Sequence, residues 1–144
     1  MTLRRLATVV AMCCISVGCE RSSTLEYVVP DGFSGILKLR AEARNGMKLV
    51  EVNGRILLMF PPSGILEVKG KLPTLQWHKA TARFANGAGI PIAGGPQAKV
   101  ADDDIALRGL GIKNNNTESW YLIGTARELR EAMNEFAGFQ VPER

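Results

Sequence analysis

The stretch Tyr27-Val-Val-Pro-Asp-Gly-Phe-Ser-Gly-Ile-Leu-Lys-Leu39 reads as a strand, a turn and a second strand, and the rest of the predicted fold builds on it. Pro30 fixes its own φ and disfavours helix in the residue before it, while Gly32 can take the positive φ of a tight turn. Beyond the turn, Leu37 and Leu39 fall on one face of a strand. We therefore expect this stretch to open a sheet that later strands join.

The composition indicates one folded domain with no strong electrostatic preference. The 144 residues suit a single domain, and 46% hydrophobic with 22% charged residues is typical of a globular protein. Arg4 and Arg5 lie in a segment that we expect to be removed. The other 16 of the 18 basic residues then face 14 acidic ones, a surplus of two. This is too little to indicate nucleic-acid binding.

The chain begins like an exported protein. Met1–Arg5 is short and basic, and Leu6–Val17 is an apolar run. That run matches the hydrophobic region of a signal peptide and is well short of the roughly 20 residues that span a bilayer. We predict that residues 1–18 are a signal peptide. All three cysteines lie in the first 19 residues, so no disulfide can link parts of the folded body.

Ser16-Val-Gly-Cys19 resembles the lipobox of bacterial lipoproteins. In that family the cysteine carries a thioether-linked diacylglycerol and the processed amino terminus is often acylated, for example with palmitate. The resemblance implies cleavage before Cys19 and lipidation of its thiol, followed by a polar tether over residues 19–25. Glu20 resembles the residue found in lipoproteins sent to an outer membrane, so we expect the outer rather than the inner membrane.

An alternative for the same segment is a secreted protein with a free thiol. Ser16 departs from the lipobox, which usually has leucine or another branched apolar residue there, and small residues at 16 and 18 also suit an ordinary signal peptidase. Two observations favour lipidation: an unpaired cysteine in an exported chain needs an explanation, and the polar stretch after it suits a tether.

The body from residue 26 to 144 reads as one β-rich domain. Asn53-Gly54 separates two apolar runs and predicts a type I′ hairpin. The second run, Ile56–Phe60, is continuous, so we expect it to be buried on both faces. Leu75–Phe84 is a further strand candidate. Ile105–Ile112 reads as a weak strand with a bulge at its glycines.

A helix closes the chain. Thr125 and Glu128 fit a capping box, and apolar residues recur at helical spacing until Gly138. Many short strands followed by one helix predict a mainly β fold: a small antiparallel β-sandwich or partly open barrel with one C-terminal helix.

Few residues in the sequence suggest a catalytic or metal-binding role. His78 is the only histidine, which excludes a pair of histidine ligands or a histidine dyad. Asp102–Asp104 lacks the alternating spacing of a calcium loop and reads as a solvated acidic loop. We therefore predict no catalytic residue, metal or cofactor. Trp77, Trp120 and Tyr121 are candidates to contact a glycan or a protein partner, and burial in the core is the alternative for each.

Tyr27-x-Val-Pro-x-Gly-Phe-x-Gly35 resembles the opening motif Y-x-I-P-x-G-Y-x-G of a family of bacterial secreted and lipid-anchored domains. Asn53-Gly54 through Pro61-x-x-Gly64-Ile and Trp120-Tyr-Leu-Ile-Gly-Thr125 are also similar to that family. The resemblance implies export and a β fold, and it implies no particular activity.

The sequence therefore predicts an envelope lipoprotein with a non-enzymatic β-rich binding or scaffold domain. Its partners would be the membrane, through the lipid, and an envelope protein or glycan. Two alternatives remain: an envelope hydrolase or carbohydrate-processing enzyme, whose carboxylates cannot be paired from sequence, and a secreted accessory or inhibitor subunit.

Overall fold

The computed structural model describes residues 22–95 and 99–138; the predicted signal peptide and Cys19 lie outside the described residues. The strands are β1 (Thr24–Val29), β2 (Gly35–Arg40), β3 (Glu51–Val52), β4 (Arg55–Met59), β5 (Ile65–Glu67), β6 (Lys79–Phe84), β7 (Gly89–Ile90), β8 (Ala106–Lys113) and β9 (Glu118–Gly124). A 3-10 turn spans Pro73–Leu75, and helix α1 spans Ala126–Ala137.

The strands form two separate sheets that meet along one edge. Sheet 1 has the order β3-β4-β1-β6-β7, and sheet 2 has the order β5-β2-β9-β8. Just beyond β7, Leu107 of β8 donates its N–H to the Pro91 carbonyl (2.9 Å) and accepts from the Ala93 N–H (3.0 Å). The sheets are joined there and do not close. The predicted class, mainly β with one C-terminal helix, is confirmed.

The pairing is mixed rather than antiparallel throughout. β1 lies parallel to both β4 and β6, and β2 lies parallel to β5, while the other four pairings are antiparallel. The cause is the turn at Pro30, which carries the chain from sheet 1 to sheet 2 instead of pairing β1 with β2. The turn after β4 makes the same crossing, so strands that run in the same direction become neighbours.

The Asn53-Gly54 hairpin is confirmed: the two residues have φ of 52° and 73° and join β3 to β4. The prediction that Ile56–Phe60 is buried on both faces is wrong. Leu57 and Met59 are 44% and 59% exposed, because no described element covers the outer face of sheet 1.

The main core lies between the sheets. Alternate residues of β1 supply Leu25, Tyr27 and Val29, and β2 supplies Leu37 and Leu39, all fully buried. Leu39 and Leu37 therefore share the inner face, as the alternation predicts. β1 begins at Thr24, so the folded body starts inside the segment predicted as tether.

Helix α1 covers the outer face of sheet 2. Its capping box is present: the Glu128 N–H donates to Thr125 Oγ1 (3.3 Å), and the Thr125 N–H donates to Glu128 Oε2 (2.7 Å). The predicted β8 bulge is also present, with a register shift between Gly109 and Gly111. Gly111 allows the helix to approach closely, because a Cβ there would lie 2.8 Å from Cζ of Phe136.

Candidate functional site

The structure does not bring the three aromatic candidates together. Trp77 precedes β6 in sheet 1, whereas Trp120 and Tyr121 are neighbours on β9 in sheet 2 and face opposite sides. Trp77 is 76% exposed and Trp120 is 8% exposed. The strand candidate Leu75–Phe84 is shorter than predicted, since β6 begins at Lys79, and this leaves Trp77 in a loop.

Trp120 lies under helix α1. Its ring meets Phe136 edge-on, with centroids 5.6 Å apart, and the ammonium groups of Lys38 and Lys113 lie 3.9 and 4.9 Å from the ring centroid. Its indole N–H donates to Glu118 Oε2 at 3.0 Å. Both the ring and its polar atom therefore have partners within the domain.

Tyr121 faces the main core. The Tyr27 hydroxyl donates to the Tyr121 hydroxyl at 3.0 Å, and the two rings meet edge-on with centroids 5.1 Å apart. Burial, together with the neighbouring Tyr121, raises the pKa of Tyr27 above its usual range, so Tyr27 stays neutral. The position of Tyr121 is explained by this hydroxyl pair and ring contact.

Trp77 lies beside the point where the chain enters β1. Two residues after it, Lys79 donates its N–H to the Ser23 carbonyl at 3.1 Å. On the other side of β1, the Thr24 N–H donates to the Gly54 carbonyl at 2.8 Å. The loop that carries Trp77 and the tip of the β3–β4 hairpin therefore flank the start of β1.

Several exposed side chains surround this entry point. Val50 and Val52 are each 61% exposed, and Arg55 and Lys79 are aligned with Thr24 on either side. We call Val50, Val52, Arg55, Trp77 and Lys79 the Thr24 patch. Of these five residues only Trp77 is a candidate from the sequence, because parallel pairing joins distant segments and leaves no local signal.

The Thr24 patch belongs to one end of the molecule, at which β1, β4 and β6 begin and β2 and β5 end. We call it the Thr24 end; it comprises residues 22–24, 40–55, 67–79 and 112–118. Eight basic and four acidic residues lie in these ranges. The acidic ones include Glu67 and Glu118, which both pair with Arg40.

Five of the basic side chains at the Thr24 end are exposed and form no salt bridge within residues 22–95 and 99–138. They are Arg44, Lys48, Lys69, Lys71 and Lys79. The opposite end, which we call the Val29 end, comprises residues 29–35, 60–64, 84–88, 99–106 and 124–128. Five acidic residues lie there against two basic ones, so the molecule has a positive and a negative end.

Glu26 lies in the middle of the outer face of sheet 1, 7% exposed. Arg83 Nε donates to its Oε1 at 2.6 Å, and Arg55 donates to its Oε2 at 2.8 Å. The Arg83 hydrogen bond, with help from Arg55, holds the pKa of Glu26 below its usual range. This carboxyl is therefore ionised at neutral pH and cannot act as a general acid.

A shallow groove of about 310 Å³ runs between the start of β2 and helix α1. Its lining includes Ser34, Glu128, Glu131 and Glu135. Glu128 is engaged in the helix cap, and the Thr125 N–H that it accepts lowers its pKa. The groove therefore presents acidic side chains on an open surface.

Within the part of the chain that the structure describes, no group of three or more His, Cys, Asp or Glu side chains is placed to hold a metal ion. In the described ranges, no helix has both the length and the apolar character needed to cross a membrane. Asp102–Asp104 is exposed, and the Asp104 carboxylate accepts the Ala101 N–H at 3.0 Å.

No protein-family model matches the sequence, and none of the curated proteins matches it. Among solved structures, the chain is similar to one described as "Putative Lipoprotein from Bacillus anthracis". The TM-score is 0.40 and the sequence identity is 14%, over 85% of this chain and 84% of that chain.

Proposed function

We propose that this chain is a bacterial envelope lipoprotein, cleaved before Cys19 and carrying diacylglycerol on the Cys19 thiol. The main support for this proposal is the spacing between Cys19 and the folded body: β1 begins at Thr24, five residues later. A lipobox-like sequence is thus followed by a short polar tether and then at once by the central strand of sheet 1. The outer membrane is the proposed location, on the basis of Glu20.

We propose further that the domain is a binding or scaffold module rather than an enzyme. The outer face of sheet 1 supports this role, since Leu57 and Met59 are exposed beside the Arg55–Glu26–Arg83 ion pairs. Apolar side chains next to paired charges suit a protein or glycan surface of the envelope.

The test is the mass and lipid content of the mature protein. The full chain, expressed in a bacterium with labelled palmitate and extracted from membranes with detergent, should begin at Cys19 and carry the mass of a diacylglyceryl group. Cys19→Ala should incorporate no label. Cys14→Ala is the matched control, because it removes a leader cysteine and should leave the labelling unchanged.

Two results would contradict the proposal. One is a mature protein whose Cys19 is a free thiol, which would indicate secretion after ordinary cleavage. The other is a protein that retains Met1 and is recovered from the cytosol.

A further inference from the structure

We infer that the Thr24 end docks on the surface of an anionic phospholipid bilayer, with the Trp77 indole in the headgroup region. This inference rests on the proposed lipid anchor at Cys19, and it adds an orientation and a second membrane contact. The occupant is thus the lipid surface itself, next to the inserted acyl chains.

The tether length restricts which end of the domain faces the bilayer. Five residues, fully extended, span about 17 Å. The Thr24 Cα therefore lies within that distance of the Cys19 Cα, whose sulfur sits at the membrane surface when acylated. β1 runs from Thr24 towards Val29, so the Val29 end is the more distant one.

The exposed side chains at the Thr24 end have the chemistry of a membrane interface. Trp77 is the most exposed large apolar side chain among the described residues, and indole combines an apolar ring with an N–H that favours the headgroup level. Val50 and Val52 add apolar area at the same end, on the far side of β1 and β4 from Trp77. In the described ranges ten large hydrophobic residues are exposed, and six of them lie at this end: Met47, Val50, Val52, Leu75, Trp77 and Ile112.

The charge distribution favours the same orientation. Each Lys or Arg near an anionic leaflet is attracted to it, and the attraction fades within about 8 Å at physiological ionic strength. Of the eight exposed basic side chains that form no salt bridge within residues 22–95 and 99–138, five lie at the Thr24 end. At the Val29 end, Lys99 and Arg127 are outnumbered by Asp31, Asp102–Asp104 and Glu128. An anionic surface would attract the first end and repel the second.

Because the lipid on Cys19 already holds the protein at the membrane, a weak contact between the Thr24 end and the bilayer is sufficient for docking. A short flexible linker gives its two ends an effective concentration of about millimolar. A surface that alone would bind lipid only at about millimolar concentration would then be docked roughly half of the time. No deep insertion or large apolar face is needed.

The experiment measures the depth of Trp77 in the lipidated protein. Because the chain has two tryptophans, Trp120→Phe leaves Trp77 as the only indole emitter. The mature protein is reconstituted into vesicles of phosphatidylcholine and phosphatidylglycerol, with and without bromine on the acyl chains. Bromine should reduce Trp77 emission by about half or more, and phosphatidylcholine alone should give a clearly smaller loss.

Matched variants separate docking from general proximity to the vesicle. Trp77→Phe leaves only Trp120, whose buried ring should be insensitive to bromine. Lys71→Gln with Lys79→Gln should weaken the quenching of Trp77, whereas Lys99→Gln with Arg127→Gln at the Val29 end should not. If Trp120→Phe does not fold, the acrylamide-sensitive emission of the wild-type protein reports Trp77 instead.

An intact mass on the same sample separates the two proposals. A protein without lipid on Cys19 overturns the proposed function, and docking with it. A lipidated protein whose Trp77 is open to acrylamide and insensitive to bromine overturns docking alone. Trp77 shielded from acrylamide but insensitive to bromine would indicate a second copy of the chain covering the patch, and would also overturn docking.

Discussion

The outer faces of the two sheets differ in what covers them. On sheet 2, helix α1 covers Leu110, Trp120 and Leu122 with its own Ala132 and Phe136. On sheet 1, no described element covers the outer face, and its centre is occupied by an ionised Glu26 held between two arginines. One outer face is therefore stabilised by apolar packing, and the other by ion pairs flanked by long side chains.

Trp120→Ala is expected to have the largest effect, because it removes the ring that joins the helix to sheet 2. Truncating a buried tryptophan costs about 3–5 kcal/mol in the free energy of unfolding. Trp77→Ala is the control, since an exposed ring should change that free energy by no more than about 0.5 kcal/mol. Urea unfolding followed by circular dichroism measures both. Equal effects would show that the helix contributes little to the stability of sheet 2.

Glu26→Gln should have an intermediate effect. It keeps the size of the side chain but removes the charge that both arginines contact. Hydrogen bonds to charged groups contribute about 1.5–3 kcal/mol, and exposure of the arginines reduces this, so we expect a loss of about 1–2 kcal/mol. The side chains of Arg55 and Arg83 are 58% and 35% exposed, which lets water partly replace the lost partner.

The loss of stability in Glu26→Gln should depend on pH, and the lowered pKa of Glu26 determines the direction. The pKa of Glu26 is lower in the folded state than its ordinary value, so the carboxylate stabilises the fold above the unfolded pKa. That contribution is lost as pH falls through the lower, folded pKa. The difference between wild type and Glu26→Gln should therefore be full at neutral pH and shrink below about pH 4.5. A difference that stays constant down to pH 2 would contradict the assigned ionisation.

Local signals in the sequence predicted the elements that depend on neighbouring residues. Asn53-Gly54, the Thr125 capping box and the β8 bulge each follow from backbone requirements within a few positions, and the structure has all three. The pairing of β1 with β4 and β6 could not be predicted in this way. This pairing joins Thr24 to Arg55 and Lys79, which lie 31 and 55 residues further along the chain with other strands between them, and no local pattern specifies it.

Non-local pairing also explains why most of the candidate site could not be predicted from the sequence. Trp77 could be proposed from residue type, but its position beside the start of β1 depends on those non-local pairings. The burial of Ile56–Phe60 was misjudged because a continuous apolar run does not reveal whether anything covers the second face. Glu26 gave no sequence signal at all, since its two arginines lie 29 and 57 residues away.

The smallest expected effect is that of Met59→Lys, and it tests whether the outer face of sheet 1 is open in the isolated domain. Met59 is largely exposed, so the new ammonium stays in water and the free energy of unfolding should change by no more than about 0.5 kcal/mol. Leu58→Lys is the matched control one residue earlier, where the side chain points into the core and a charge would prevent folding. Thermal unfolding of the two variants side by side measures this contrast. A loss of about 2 kcal/mol or more for Met59→Lys would mean that another surface covers this face, and the contrast between the two sheets would then fail, because both outer faces would depend on apolar packing.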